Sequence, residues 1–140
     1  MKRALFLGLW AALALAAAGG CTAKKPVVFG LVTLDGNPVE NGSIQFFPVA
    51  GDGQTSAAMI APDGRYRLEA SPTTMKVVIS ASKVVGHRKM YDNVPDSPTV
   101  EVLDEVLPPR YSDMNKSELR FTVVPGDNEA NFELHSDKKK

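Results

Sequence analysis

The chain is poor in the residues that usually carry chemistry: 140 residues contain one cysteine, two histidines and one tryptophan. A single thiol excludes a disulfide within the chain, and paired cysteines or a His-x-x-x-His spacing for zinc are absent. No Gly-x-Ser-x-Gly elbow or Cys–His pair suggests a nucleophile. Charge of one sign is missing too, with 16 basic and 16 acidic side chains. A nucleic-acid binder concentrates basic charge on its surface, so nucleic acid is not an expected partner. The basic cluster Lys138–Lys140 reads as a solvated end.

What the chain does have begins at its start. Lys2 and Arg3 precede an apolar stretch, Ala4 to Ala18, which ends in Gly19-Gly20. A spanning helix needs about 20 apolar residues to cross roughly 30 Å of hydrocarbon. This run is shorter and closes on small residues, so residues 1–20 read as a secretory signal peptide. Lys2 and Arg3 are the only charges within it, so the remainder keeps 14 basic and 16 acidic groups, a net charge of −2. Trp10 leaves with the signal.

Cys21 follows at once, between the signal and a Lys-rich tether, outside any core pattern. Ala18-Gly19-Gly20-Cys21 resembles the lipobox of bacterial lipoproteins, with Ala18 where Leu is usual. The resemblance implies cleavage between Gly20 and Cys21, a diacylglyceryl group on the Cys21 thiol, and residues 21–26 as a lipidated tether. Thr22, rather than Asp, after the cysteine implies sorting to the outer membrane. The expected location is therefore the cell envelope, with the lipid as the membrane contact.

From Val27 to about residue 135 the pattern is that of an all-β domain. VVFGLVTL (27–34) carries apolar residues on both faces, Val28, Val32 and Leu34 against Val27, Phe29 and Leu31, as a well-covered central strand does. Asp35-Gly36-Asn37-Pro38 and Asn41-Gly42 turn the chain into SIQFFPV (43–49). AAMIA (57–61) and RYRLE (65–69) flank a Pro62-Asp63-Gly64 turn, and Tyr66 and Leu68 alternate with charged residues. MKVVISASK (75–83) points Met75, Val77, Ile79 and Ala81 inward. ELRFTVV (118–124) and EANFEL (129–134) flank Pro125-Gly126-Asp127-Asn128. Short strands punctuated by Gly, Pro, Asn and Asp predict a sandwich or barrel of antiparallel sheets. Residues 84–117 offer one short strand, TVEVL (99–103), and read otherwise as a long connection. Residues 136–140 read as a disordered basic tail.

VFGLVTLDGNPVENGSIQFFPV (28–49), APDGRYRL (61–68) and MKVVISASK (75–83) together resemble the carboxypeptidase regulatory-like domains of the transthyretin-like superfamily. LPPRY (107–111) and SELRFTV (117–123) are similar to later parts of short bacterial lipoproteins carrying this domain alone. The resemblance implies a Greek-key sandwich of seven to eight antiparallel strands, and an accessory, binding or stalk role. Gly36 and Gly64 would then shape the backbone, while Val39 and Tyr66 pack.

Few residues compete for a chemical role. His87 has cationic neighbours, and His135 ends the last strand, so neither suggests a metal. The hydrolases of the transthyretin superfamily end in Tyr-Arg-Gly-Ser, which this tail lacks. Asp92, Asp96, Asp104 and Glu105 crowd the long connection without calcium-loop spacing and read as a hydrated acidic surface. An isopeptide bond is not expected, because Lys24 and Lys25 precede the first strand and Asn131 is out of phase with Ala130 and Phe132. Leu107-Pro108-Pro109-Arg110-Tyr111 reads as stiff and extended, with Arg110 and Tyr111 either contacting a partner or capping the sandwich. The expectation is a non-enzymatic, lipid-anchored binding or structural module without metal or cofactor, facing an envelope protein or glycan. A carbohydrate- or small-ligand-binding domain is the alternative.

Overall fold

The computed structural model describes residues 23–137. The signal peptide, the Gly20–Cys21 cleavage site, Thr22 and Lys138–Lys140 lie outside the described residues.

Alternating and β-branched segments form ten strands in two sheets, five in each. The first sheet is built on β1 (Val27–Leu34), which has neighbours on both sides. On one side β5 (Arg65–Glu69) and β2 (Asn37–Pro38) run antiparallel to it. On the other, β9 (Asp127–Glu129) and β10 (Phe132–Leu134) run parallel. The second sheet has the order β4 (Ser56–Met59), β3 (Gly42–Pro48), β6 (Thr74–Lys89) and β7 (Thr99–Glu105). β8 (Arg120–Thr122) pairs with the first residues of β6.

This all-β, two-sheet body matches the expected class, with two corrections. The strands are not all antiparallel, because the end of the chain returns beside β1 in the same direction. They also number ten rather than seven or eight, because the two-residue β2 is added within the 35–38 turn and a break at Ala130-Asn131 divides the last expected strand into β9 and β10.

The inward faces make one core. From the first sheet come Val28, Val32, Tyr66, Leu68, Phe132 and Leu134; from the second, Ile44, Phe46, Met75, Val77 and Ile79. Phe46 joins the two sheets, its ring centroid 6.3 Å from Tyr66 and 6.4 Å from Phe132. The Tyr66 hydroxyl donates to the Ala130 carbonyl at 2.7 Å inside this core. Burial raises the Tyr66 phenol well above its ordinary pKa, since a charged phenolate there would lose its hydration.

The outer face of β1 is less covered than its sequence suggests. Phe29 is half-buried under the Arg67 guanidinium, and Leu31 is exposed.

Turn chemistry holds these edges in register. Gly64 has φ +81°, and an added Cβ would lie 2.7 Å from the Val32 carbonyl oxygen, so only glycine fits between β1 and the 62–64 turn. Asp63 accepts from the Arg65 amide at 3.1 Å and closes that turn. Val39 is buried, as a packing residue should be.

Residues 84–117 are the main departure from expectation. Residues 84–89 are not connection: β6 continues through them as one strand of 16 residues and pairs with β7. Beyond Ala81, the last partner of β3, this pair runs on as a two-stranded ribbon.

Leu107–Tyr111 is not extended either. Pro109–Ser112 forms a single helical turn, α1, with proline at its start, where a missing N–H costs nothing.

Candidate functional site

Two features meet at the end of the body where β1 finishes: a clasp around the chain's last described residues and the base of the β6–β7 ribbon.

The clasp contains both residues singled out in the LPPRY motif. Pro108 and Pro109 start α1, which turns Tyr111 onto the core, half-buried. The Tyr111 hydroxyl accepts from the His135 amide at 3.3 Å. Arg110 lies over the Tyr111 ring, 4.8 Å from its centroid, ion-pairs with Asp137 and donates to the His135 carbonyl. Its guanidinium is held above its ordinary pKa by the Tyr111 hydroxyl first, against a desolvation penalty, and by Asp137. The Ser136 amide donates to Asp35 at 3.1 Å, and His135 Nδ1 lies 3.8 Å from the same carboxylate. Residues 136 and 137 are thus fastened to Asp35 and Arg110.

Because Tyr111 packs on the core, Tyr111→Ala should cost about 1–3 kcal/mol, an ordinary loss for a partly buried residue. For a domain of this size that lowers Tm by roughly 5–20 °C. Thermal melting followed by circular dichroism checks this; an unchanged Tm would leave Tyr111 to a surface contact.

The ribbon carries the residues that chemistry would have to use. His87 faces Glu101 across the two strands and Arg88 faces Val100, so strand alternation sends them to opposite faces. Asp92 lies in the turn beyond, and His87, Arg88 and Asp92 do not share a face. A bulge between Val84 and Gly86 shifts the register and twists the ribbon. The ribbon's turn is ordered by Ser97, whose hydroxyl accepts from the Tyr91 amide at 2.8 Å, and by Lys89, which donates to the Pro95 carbonyl at 3.1 Å.

The acidic residues of this region do different work. Glu105 Oε1 accepts from the Ala81 amide at 2.9 Å and from the Leu107 amide at 3.0 Å. It therefore pins the ribbon's base to β6 and is not simply a hydrated surface group, which corrects the sequence reading. Asp92, Asp96 and Asp104 are exposed. Among the described residues no group of three or more His, Cys, Asp or Glu could hold a metal.

Between the ribbon's base and the β1–β2 hairpin lies an open cleft of about 840 Å³. Its walls include Leu34, Pro38 and Val39 on one side, and Val84, Leu103 and Val106 on the other. Asp35, Glu40 and Glu101 bring three carboxylates to its lining, against the single ammonium of Lys83. Apolar and polar residues thus share the lining, with Asn37, Asn41 and Ser82 beside the charged groups. Sequence reasoning missed it because the ribbon was not recognised. The signal was the alternation in VEVLDE, read only as far as Leu103.

Asn131 also has a role that its phase concealed. Its Oδ1 accepts from the Leu31 amide at 2.8 Å, replacing a ladder bond where β9 and β10 are interrupted. Lys24 and Lys25 are exposed ahead of β1.

No family model matches the chain, and no curated protein does. Among solved structures, a 9R-lipoxygenase from Cyanothece PCC8801 is similar at a TM-score of 0.33 and 8% identity. The match covers 79% of this chain and only 16% of that one.

Proposed function

We propose that this protein is a lipid-anchored module of the bacterial cell envelope, held at the outer membrane through Cys21 and acting by binding or scaffolding rather than catalysis. The observation that carries the reading is the order of segments. A short apolar run ends in Ala18-Gly19-Gly20-Cys21, a polar tether follows, and β1 starts at Val27. The transthyretin-like Greek-key arrangement, of the carboxypeptidase regulatory-like kind, is part of the same proposal. The two-sheet core and the Asp63-Gly64 turn support it.

The physics is a division of labour. Each buried methylene of an acyl chain contributes about 0.8 kcal/mol, so two or three chains hold the protein stably. The body then needs no membrane-seeking surface of its own. The tether enters at Val27, one end of β1, whereas the cleft lies at Leu34, the other end. At about 3.3 Å per residue, β1 spaces the cleft roughly 25 Å from the tether, facing away from the anchoring lipid.

The alternative, a carbohydrate-binding envelope domain, needs an aromatic platform. Tyr91 is the only aromatic exposed among the described residues, so the platform is not supported.

Labelling growing cells with radioactive palmitate tests the anchor. The wild-type protein should carry label and fractionate with membranes; Cys21→Ala should lose the label completely and become extractable. Unchanged labelling of Cys21→Ala would overturn the proposal.

A further inference from the structure

The two strands of the β6–β7 ribbon differ in charge, the first carrying Lys83, Arg88 and Lys89. The second, TVEVLDE (99–105), carries Glu101, Asp104 and Glu105 and no basic residue. β7 is also an edge strand: it pairs with β6 and, among the described residues, with no strand on its other side. Its unpaired backbone groups therefore form a template for another extended chain. The face of β7 that presents Glu101 and Leu103 lines the cleft. Leu103 is 59% exposed, an apolar side chain without cover, and Val84 opposite it is 41% exposed.

The charge balance selects the occupant. The cleft's lining carries Glu40 and Glu101, and its one ammonium, Lys83, already stands opposite Asp104 in the ribbon. A second copy pairing through its own β7 would set acid against acid, which is unfavourable across strands. An acidic or neutral chain would bring no cation to Glu40 and Glu101.

From this we infer that β7 and the adjoining cleft form a docking site for an extended, basic polypeptide segment. The segment adds as a strand to the free edge; every second side chain faces the cleft, and this one set alternates an apolar group beside Leu103 with a cation for Glu101 and Glu40. Backbone pairing supplies affinity and the alternate side chains supply selectivity, as in other strand-addition complexes. The inference deepens the binding-module reading proposed above and names the chemistry of the partner.

The test uses the full chain in a non-ionic detergent and a fluorescein-labelled eight-residue peptide, Val-Thr-Lys-Thr-Val-Thr-Lys-Thr, whose valines and lysines share one face of a strand, followed by anisotropy. This peptide should bind at least tenfold more tightly than its counterpart with Glu in place of Lys, and its affinity should fall as salt rises. Replacing its valines and threonines by proline, which leaves backbone N–H donors only at the two lysines, should abolish binding. Leu103→Asp should weaken binding at least tenfold, and so should Glu40→Lys combined with Glu101→Lys. These three positions are exposed, and an unchanged β-type circular dichroism spectrum verifies that the variants fold.

Equal binding of both peptides, no binding of either, or indifference to all three substitutions would overturn the inference. In the second case the β7 carboxylates serve only to keep an edge strand from pairing. The palmitate result at Cys21 does not depend on this titration, so failure of the docking site and failure of the anchor are read separately.

Discussion

Phe46→Ala should destabilise the domain by about 3–5 kcal/mol, the range for truncating a fully buried phenylalanine. Phe46 is 0% exposed and sits on β3 where the two sheets face each other. Its ring contacts Tyr66 and Phe132 from the first sheet, and meets Phe121 of β8 edge-on with centroids 6.5 Å apart. Truncation therefore opens a void touching both sheets at once, and no single element can relax to fill it. A domain of this size has about 5–15 kcal/mol of stability in total, so the loss is between about a fifth and the whole of it. In urea the unfolding midpoint should fall by on the order of 2 M at unchanged slope. Phe29→Ala is the control. That ring is half-buried on the outer face beneath Arg67, and its loss should cost about 1 kcal/mol. Equal effects of the two substitutions would show that the core is not organised around Phe46.

The segments legible in the sequence are those with one wet face and one dry face. RYRLE alternates strictly, and Arg65–Glu69 is the observed strand with Tyr66 and Leu68 buried. Met75, Val77, Ile79 and Ala81 are buried for the same reason. Strands lose their sequence signature where that contrast disappears. Residues Ser82–Val85 and His87–Lys89 of β6 are all exposed, so no inward set marks the strand, and the bulge at Val85 breaks the period as well. Asn128 was read as part of a turn, yet it is 5% exposed. Its side-chain amide donates to the carbonyls of Val27, Val124 and Gly126, and its Oδ1 accepts from the Val124 amide. A polar residue that satisfies backbone groups inside the body looks identical in sequence to one that faces water. The cleft was illegible for a related reason. It is formed by residues 34–41 meeting residues 81–107, and no local pattern announces a meeting between distant segments.

The same lesson applies to a glycine read simply as a position in a strand. Gly30→Ala should cost about 3–5 kcal/mol, although alanine is ordinarily acceptable in β-structure. Gly30 lies on the inward face of β1 between Val28 and Val32, directly opposite Tyr66 of β5. There the chain crosses from β9 to β10, and the Ala130 backbone presses against the glycine. A Cβ at position 30 would lie 1.9 Å from the Ala130 carbonyl oxygen and 2.6 Å from its carbon. The contact is with backbone, so no side-chain rotation relieves it, and the 130–131 segment must move outward. Three bonds meet at that segment. Tyr66 donates to the Ala130 carbonyl, the Ala130 amide donates to the Phe29 carbonyl at 2.9 Å, and the Leu31 amide donates to Asn131. Each is worth about 1 kcal/mol net, and more where a buried group is left unpaired, which sets the scale of the loss. Tm should fall by 15 °C or more. Gly86→Ala is the matched control, because a Cβ there meets nothing within 4 Å, and its Tm should stay within about 3 °C of wild type. If Gly30→Ala melts as late as Gly86→Ala, the Ala130 backbone does not cross β1 where it is placed here, and the break between β9 and β10 needs another cause.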